Sequence, residues 1–168
     1  MEPSTPSGFL LIDKPVGPTS HDIVDIVRRA LRTRKVGHAG TLDPFAAGLL
    51  IVAVGKATKE ISKFVGLDKT YEARLRLGAT SDTMDRTGQI SGSDPLGSDP
   101  KVPEHAAVEA VLAKFRREID QVPPMYSAKK VGGVAAYELA RKKTKFTLAP
   151  VQVEVYRFDL IGVEGSRA

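Results

Sequence analysis

Gly37-His38-Ala39-Gly40-Thr41-Leu42-Asp43-Pro44-Phe45-Ala46-Ala47-Gly48-Leu49-Leu50 is the stretch on which the reading of this chain turns. Glycines, a histidine, a threonine and an Asp-Pro pair lead directly into the apolar run Leu49 to Val54. Glycine punctuation ahead of a buried strand lets the backbone turn tightly and approach a ligand closely, which marks a functional loop. Asp43-Pro44 has two readings. One is an N-cap aspartate with proline at the first helical position. The other is a carboxylate that does chemistry, with His38 able to stack or hydrogen-bond close by.

Working outward, Gly48 and Gly55 bound Leu49 to Val54 as a buried strand. Upstream, Gly8 to Asp13 reads as a strand stopped by Lys14-Pro15-Val16-Gly17-Pro18. Thr19 and Ser20 can cap a helix, with Asp22 in its first turn and Ile23, Ile26, Val27, Ala30 and Leu31 on one apolar face. Arg28, Arg29, Arg32, Arg34 and Lys35 follow, either as a phosphate patch beside the glycine loop or as cations favoured at a helix C-terminus.

Downstream, Ala57, Ile61, Phe64 and Val65 predict a helix over 56–65 that ends at Gly66. Tyr71, Ala73, Leu75 and Leu77 alternate with Glu72, Arg74 and Arg76, predicting a strand. Ser91 to Pro100 has loop composition. A helix is expected from Pro103-Glu104, burying Val108, Val111, Leu112, Phe115 and Ile119 and stopping at Val122-Pro123-Pro124. Met125 to Gly133 reads as a basic loop, followed by a short helix through Tyr137 and Leu139. Val151, Val153 and Val155 then start a strand running toward Ile161. This order suggests a mixed α/β or α+β domain. Gly162 to Ala168 resembles a turn after an unpartnered strand, so the expectation is a chain belonging to a longer protein.

The chain has 168 residues, enough for one domain with one core. Hydrophobic residues make up 42% and charged residues 27%, which excludes a wholly disordered chain. Its apolar runs are too short to span a bilayer, and Met1 to Ser7 has no leader pattern. Without cysteine there is no disulfide framework or thiolate metal site, which fits a cytoplasmic compartment. A net charge of +5 and a pI near 9.5 make a polyanion such as RNA a reasonable partner. Asp82 and Asp85 read as solvated turn residues rather than metal ligands.

Two families share pieces of this sequence. Gly40 to Leu49 resembles the G-T-F-D-P-x-H-x-G-H loop of nucleotidylyltransferases, but Ala46 and Leu49 stand where both histidines belong. The fuller resemblance is to the TruB family of tRNA pseudouridine synthases. Four segments carry it in order: Leu11 to Ser20, Gly37 to Leu50, Lys69-Thr70-Tyr71 and Gln121 to Lys130.

That resemblance implies an α+β pseudouridine synthase fold, with a mixed, largely antiparallel sheet and flanking helices. Residues 1–168 would form a single partial catalytic domain without the C-terminal RNA-binding module. It implies Asp43 as the nucleophile, His38 holding the disrupted RNA loop, Tyr71 stacking on the flipped uracil, and Lys14 supporting the catalytic loop or contacting RNA. The partner implied is the T-arm of tRNA, bound by a cytoplasmic monomer that needs no metal and no organic cofactor. The family's later G-T-Y-I-R segment, with the arginine that pairs with the catalytic carboxylate, is missing, and Arg74 and Arg76 are not placed by the motif to replace it. A catalytically silent tRNA-binding fragment is therefore the alternative.

Overall fold

The structure, a computed structural model, describes residues 6–92, 103–127 and 129–163. Most of the Ser91 to Pro100 loop, the opening residues 1–5 and the end of the Gly162 to Ala168 turn lie outside the described residues. Two compact units divide the chain at Tyr71 and Glu72.

In the first unit, β1 (Gly8–Lys14), β2 (Val36–Ala39) and β3 (Gly48–Val54) form an antiparallel sheet in the order β1-β3-β2. The register pairs Lys14 with Gly48, Ile12 with Leu50 and His38 with Val52. Because alternate side chains point to opposite faces, Leu50, Val52 and Val54 meet helix α1 (Ser20–Ala30) in one core with Ile23, Val24, Val27 and Val36. Each such fully buried aliphatic side chain contributes about 1.5–3 kcal/mol. Ile12 and Leu42 pack against this core. On the other face a 3-10 segment, Gly55–Phe64, covers Ala53, and Phe64 meets Phe9 with ring centroids 4.8 Å apart.

Helix α1 shows how closely pattern and packing agree, and where they part. Thr19 caps it through a full capping box with Asp22. The buried stripe is Ser20, Ile23, Val24 and Val27, whereas Ile26 is 48% exposed. The helix is thus rotated from the face predicted by hydrophobicity alone, and a serine takes the first position of the buried stripe. The Asp22 carboxyl is held below its ordinary value, first by the Thr19 hydroxyl and then by the Thr19 amide. A depressed folded value stabilises above the unfolded pKa of about 3.9 and is lost as pH falls through the folded value. Asp22→Asn is therefore expected to flatten the acid limb of a plot of unfolding midpoint against pH below about pH 4. An unaltered limb would contradict the capping role.

The second unit has antiparallel pairs only among its described strands. These are β4 (Thr80–Ser81) with β5 (Ile90–Ser91), β6 (Arg117–Gln121) with β9 (Val151–Val155), and β7 (Lys130–Val131) with β8 (Val134–Ala135). Its helices are α2 (His105–Leu112) and α3 (Ala136–Arg141). Ala136 is the one buried core residue among its described residues.

Several expectations are corrected. Residues 71–75 form no strand and both faces of the alternating pattern are exposed, since no ladder partner pairs with them among the described residues. The segment after β3 is 3-10 rather than α-helical, and Gly66 does not adopt a left-handed cap. The helix expected to reach Pro123 stops at Leu112, followed by a short 3-10 turn. Ile119 lies on β6 opposite Val153, where its i+4 spacing from Phe115 mimicked a helix. Strand β9 ends at Val155, and Ile161 is exposed. Gly132 and Gly133, both at positive φ, make the two-residue turn of a hairpin inside the predicted loop.

Candidate active site

Asp43 lies in the connection between β2 and β3, and the segment before and at the start of α1 grips the backbone on both sides of it. The Ser20 hydroxyl donates to the Leu42 carbonyl at 3.1 Å and accepts the Leu42 N–H at 2.9 Å. A hydroxyl has the hydrogen and the lone pairs to do both. On the other side the Gly17 N–H donates to the Pro44 carbonyl at 2.7 Å. Gly17 has φ +117°, a conformation that side chains rarely adopt. Between the two clamps the Asp43 carbonyl accepts the Ala46 N–H at 3.0 Å, closing a turn with Pro44 at its second position. Asp43-Pro44 does not start a helix, because β3 begins at Gly48 and leaves room only for that turn.

The result is a fixed backbone carrying a free functional group. The Asp43 side chain is exposed, and no hydrogen bond or ion pair engages it among the described residues. Lys14 is the opposite case. It has 0% exposure, and its ammonium donates to the Pro15 and Pro18 carbonyls, both at 2.9 Å. Those bonds close the turn that contains Gly17, so Lys14 reaches the Asp43 turn through the Gly17 to Pro44 bond as well as through its own backbone pairing with Gly48. His38 shares the α1 face of the sheet with Val52, is half-buried, and donates from Nδ1 to the Gly40 carbonyl. This leaves Nε2 as its acceptor in the neutral ring. Gly40, at φ +77°, turns the chain out of β2 toward Asp43.

The structure therefore brings Lys14, Ser20 and the Asp43 turn together. Tyr71 is 70% exposed and has no hydrogen bond or ring contact with that turn among the described residues. The basic residues at the end of α1 and just after it lie away from the Asp43 turn: Ser20 opens α1 beside Leu42, and the arginines lie toward the far end of the helix, about 16 Å away over eleven residues. Arg28 is used locally, bonding Asp25 and the Val36 carbonyl.

Ser20 and Gly17 were not singled out as site residues from sequence. The available signal was that the buried helical stripe, extended back one turn, ends on Ser20. Ser20→Ala is expected to lower stability by about 1–3 kcal/mol, because it strands the half-buried Leu42 amide and carbonyl. A shift below about 0.5 kcal/mol in chemical denaturation would mean that the clamp is dispensable.

In the second unit, Asp85 accepts from the Thr83 and Thr87 hydroxyls and the Thr87 amide, and Asp82 accepts from the Gln89 amide. Burial would raise the Asp85 value, but these bonds with Thr87 and Thr83 outweigh it and hold the carboxyl below its ordinary range. Both carboxylates thus serve their own turn. Among the described residues no group of three or more His, Cys, Asp or Glu could hold a metal ion, and no helix is long and apolar enough to cross a membrane.

Comparison with known proteins gives a consistent picture. The family described as TruB family pseudouridylate synthase (N terminal domain) matches residues 28–168. The tRNA pseudouridine synthase B of Caldanaerobacter subterraneus subsp. tengcongensis is 46% identical over 156 residues, covering 92% of this chain and 53% of that protein. The protein of the same name from Aquifex aeolicus is also 46% identical, covering 92% of this chain and 52% of its own length. The chain spans about half the length of the curated relatives it matches. Among solved structures, a chain of an H/ACA RNP bound to a substrate RNA containing 2′-deoxyuridine aligns with TM-score 0.61 and 24% identity over 95% of this chain and 35% of that one. A chain of a Cbf5-Nop10-Gar1 complex aligns with TM-score 0.59 and 25% identity, covering 95% of this chain and 37% of its own. These likenesses agree with the α+β, antiparallel architecture expected from the sequence.

Proposed function

This chain belongs to the TruB family of pseudouridylate synthases, and from that premise we propose that residues 1–168 are the N-terminal part of the catalytic domain of a tRNA pseudouridine synthase. The observation that carries the proposal is the Asp43 carboxylate, exposed and unengaged on a turn whose backbone is clamped at Leu42 and Pro44. A nucleophile needs this combination of a fixed position and an uncommitted lone pair.

The reaction exchanges one bond to the ribose for another. The bond from C1′ to N1 of uracil breaks, the base turns, and a bond from C1′ to C5 forms. The C5 proton leaves and N1 gains one, so nothing is added overall. Asp43 attacks the target nucleotide covalently and holds it while the base is detached. A uridine stacked in an RNA loop cannot reach the carboxylate, so it is extruded first. His38 then holds the disrupted loop, Tyr71 stacks on the extruded uracil as aromatic rings do with unpaired bases, and Lys14 supports the turn beneath Asp43. The substrate is a T-loop uridine in the T-arm of tRNA, and the protein acts as a cytoplasmic monomer without metal or organic cofactor.

One observation favours a second reading, a tRNA-binding fragment without turnover. No cation pairs with Asp43 among the described residues. An unpaired carboxylate lacks an electrostatic partner to fix its geometry. Incubation with an unmodified tRNA transcript separates the readings. Pseudouridine at the T-loop supports the enzyme, binding without pseudouridine supports the fragment, and ATP-dependent pyrophosphate release would return the nucleotidylyltransferase alternative.

A further inference from the structure

Five cations gather at the end of the first unit's sheet that lies farthest from Asp43, and they come from separate stretches of chain. Arg32, Arg34 and Lys35 follow α1, while Lys56 and Lys59 lie at the start of the 3-10 segment. The Gly55 N–H donates to the Lys35 carbonyl at 2.8 Å and Val36 pairs with Val54, so the two stretches touch. In a 3-10 helix residues three apart eclipse, which puts Lys56 and Lys59 on one side. All five residues are exposed, and none of their side chains has a hydrogen-bond or ion-pair partner among the described residues. The nearby acids Asp25 and Glu60 are engaged by Arg28 and Lys63.

The dipole of α1 does not account for this cluster. It favours cations in the last turn of the helix, but Lys35 lies beyond that turn. Lys56 sits in the first turn of the 3-10 segment, where a dipole favours acids and none is present. Collecting like charges raises their mutual repulsion, which an anionic partner relieves. The seven residues of β3 separate the cluster from the Asp43 turn by about 20 Å. One nucleotide does not span that distance, whereas a polyanion does. No aromatic residue interleaves 32–35 or 56–59, so the chemistry suits phosphates rather than stacked bases.

We propose that this cationic end is a second RNA contact surface, which holds phosphodiester backbone remote from the nucleotide that meets Asp43. It rests on the reading of RNA as substrate and adds a site to it. The test is a titration of the protein with an unmodified, full-length tRNA transcript at several KCl concentrations. The triple variant Arg34→Gln, Lys35→Gln, Lys56→Gln is compared with the parent and with a charge-matched control, Lys142→Gln, Lys143→Gln, Lys145→Gln.

The triple variant is expected to bind about tenfold more weakly near 0.1 M salt, with the log–log salt slope reduced by about 2, at roughly 0.7–0.9 per lost phosphate contact. Lys56→Gln alone is expected to lose about one contact's share of the slope. The control is expected to lose less than either in slope, and the rate at saturating tRNA is expected to be kept by the triple variant. Affinity and slope equal to the parent's, or an equal loss in the control, would overturn the proposal. A parent that binds tRNA without forming pseudouridine would refute the reaction while leaving this comparison readable, and a parent that does not bind tRNA would refute both.

Discussion

Asp43→Ala is expected to abolish pseudouridine formation on an unmodified tRNA transcript, with a loss of about 10⁴-fold or more. Stability is expected to stay within about 0.5 kcal/mol of the parent, as for other exposed side chains without partners. The two effects separate because the structure divides the work at this residue. The Asp43 carbonyl holds the turn with the Ala46 amide, and the side chain holds nothing among the described residues. Asp43→Asn keeps the shape and removes the anion, so it is expected to be equally inactive while binding tRNA as tightly as the parent. Turnover that survives either change, or a large loss of stability with it, would return Asp43 to the role of an ordinary turn residue.

The largest stability effect is expected at Lys14. Lys14→Ala empties a fully buried position and leaves the Pro15 and Pro18 carbonyls without their donor. Cavity and unsatisfied polar groups together are expected to cost about 3–5 kcal/mol. Lys14→Met fills the space but also strands both carbonyls, while relieving the desolvation of an ammonium that has no carboxylate partner among the described residues. These opposing terms make about 1–2 kcal/mol the expected loss for methionine. Urea denaturation of the variants measures both. A loss below about 1 kcal/mol for alanine would mean that the Pro15–Pro18 turn closes without the lysine.

Much of the first unit was legible because its local signals agree. Gly48 and Gly55 bracket β3, Thr19 and Asp22 announce the start of α1, and the proline pair after Lys14 ends β1. What misled were periodicities read without a partner. Tyr71 to Leu77 alternates like a strand, yet alternation selects a face only when a ladder fixes the backbone, and among the described residues that stretch has only an isolated bridge at Arg76. Ile119 fits a helical spacing and a strand alternation equally, and its pairing opposite Val153 decided the matter.

At the candidate site, Asp43 stood out through its glycine-rich surroundings. Ser20 did not, because the value of a hydroxyl that bonds one backbone amide and its carbonyl depends on a contact across 22 positions of sequence. Lys14 was visible as a motif residue, but its burial was not, since a lysine before a proline-rich turn is ordinarily solvated.

The grip of Gly17 and Ser20 on Pro44 and Leu42 has an evolutionary corollary. Two stretches of the gene are tied to one another by count as well as by composition, because both bonds must close on the same short turn. Side chains such as Val16 or Thr41 can drift, but a codon gained or lost between Lys14 and Ser20, or between Gly40 and Gly48, throws one bond out of reach of the other. Insertions in descendants of this sequence are therefore expected to accumulate elsewhere, with these two short intervals serving as rulers for the turn.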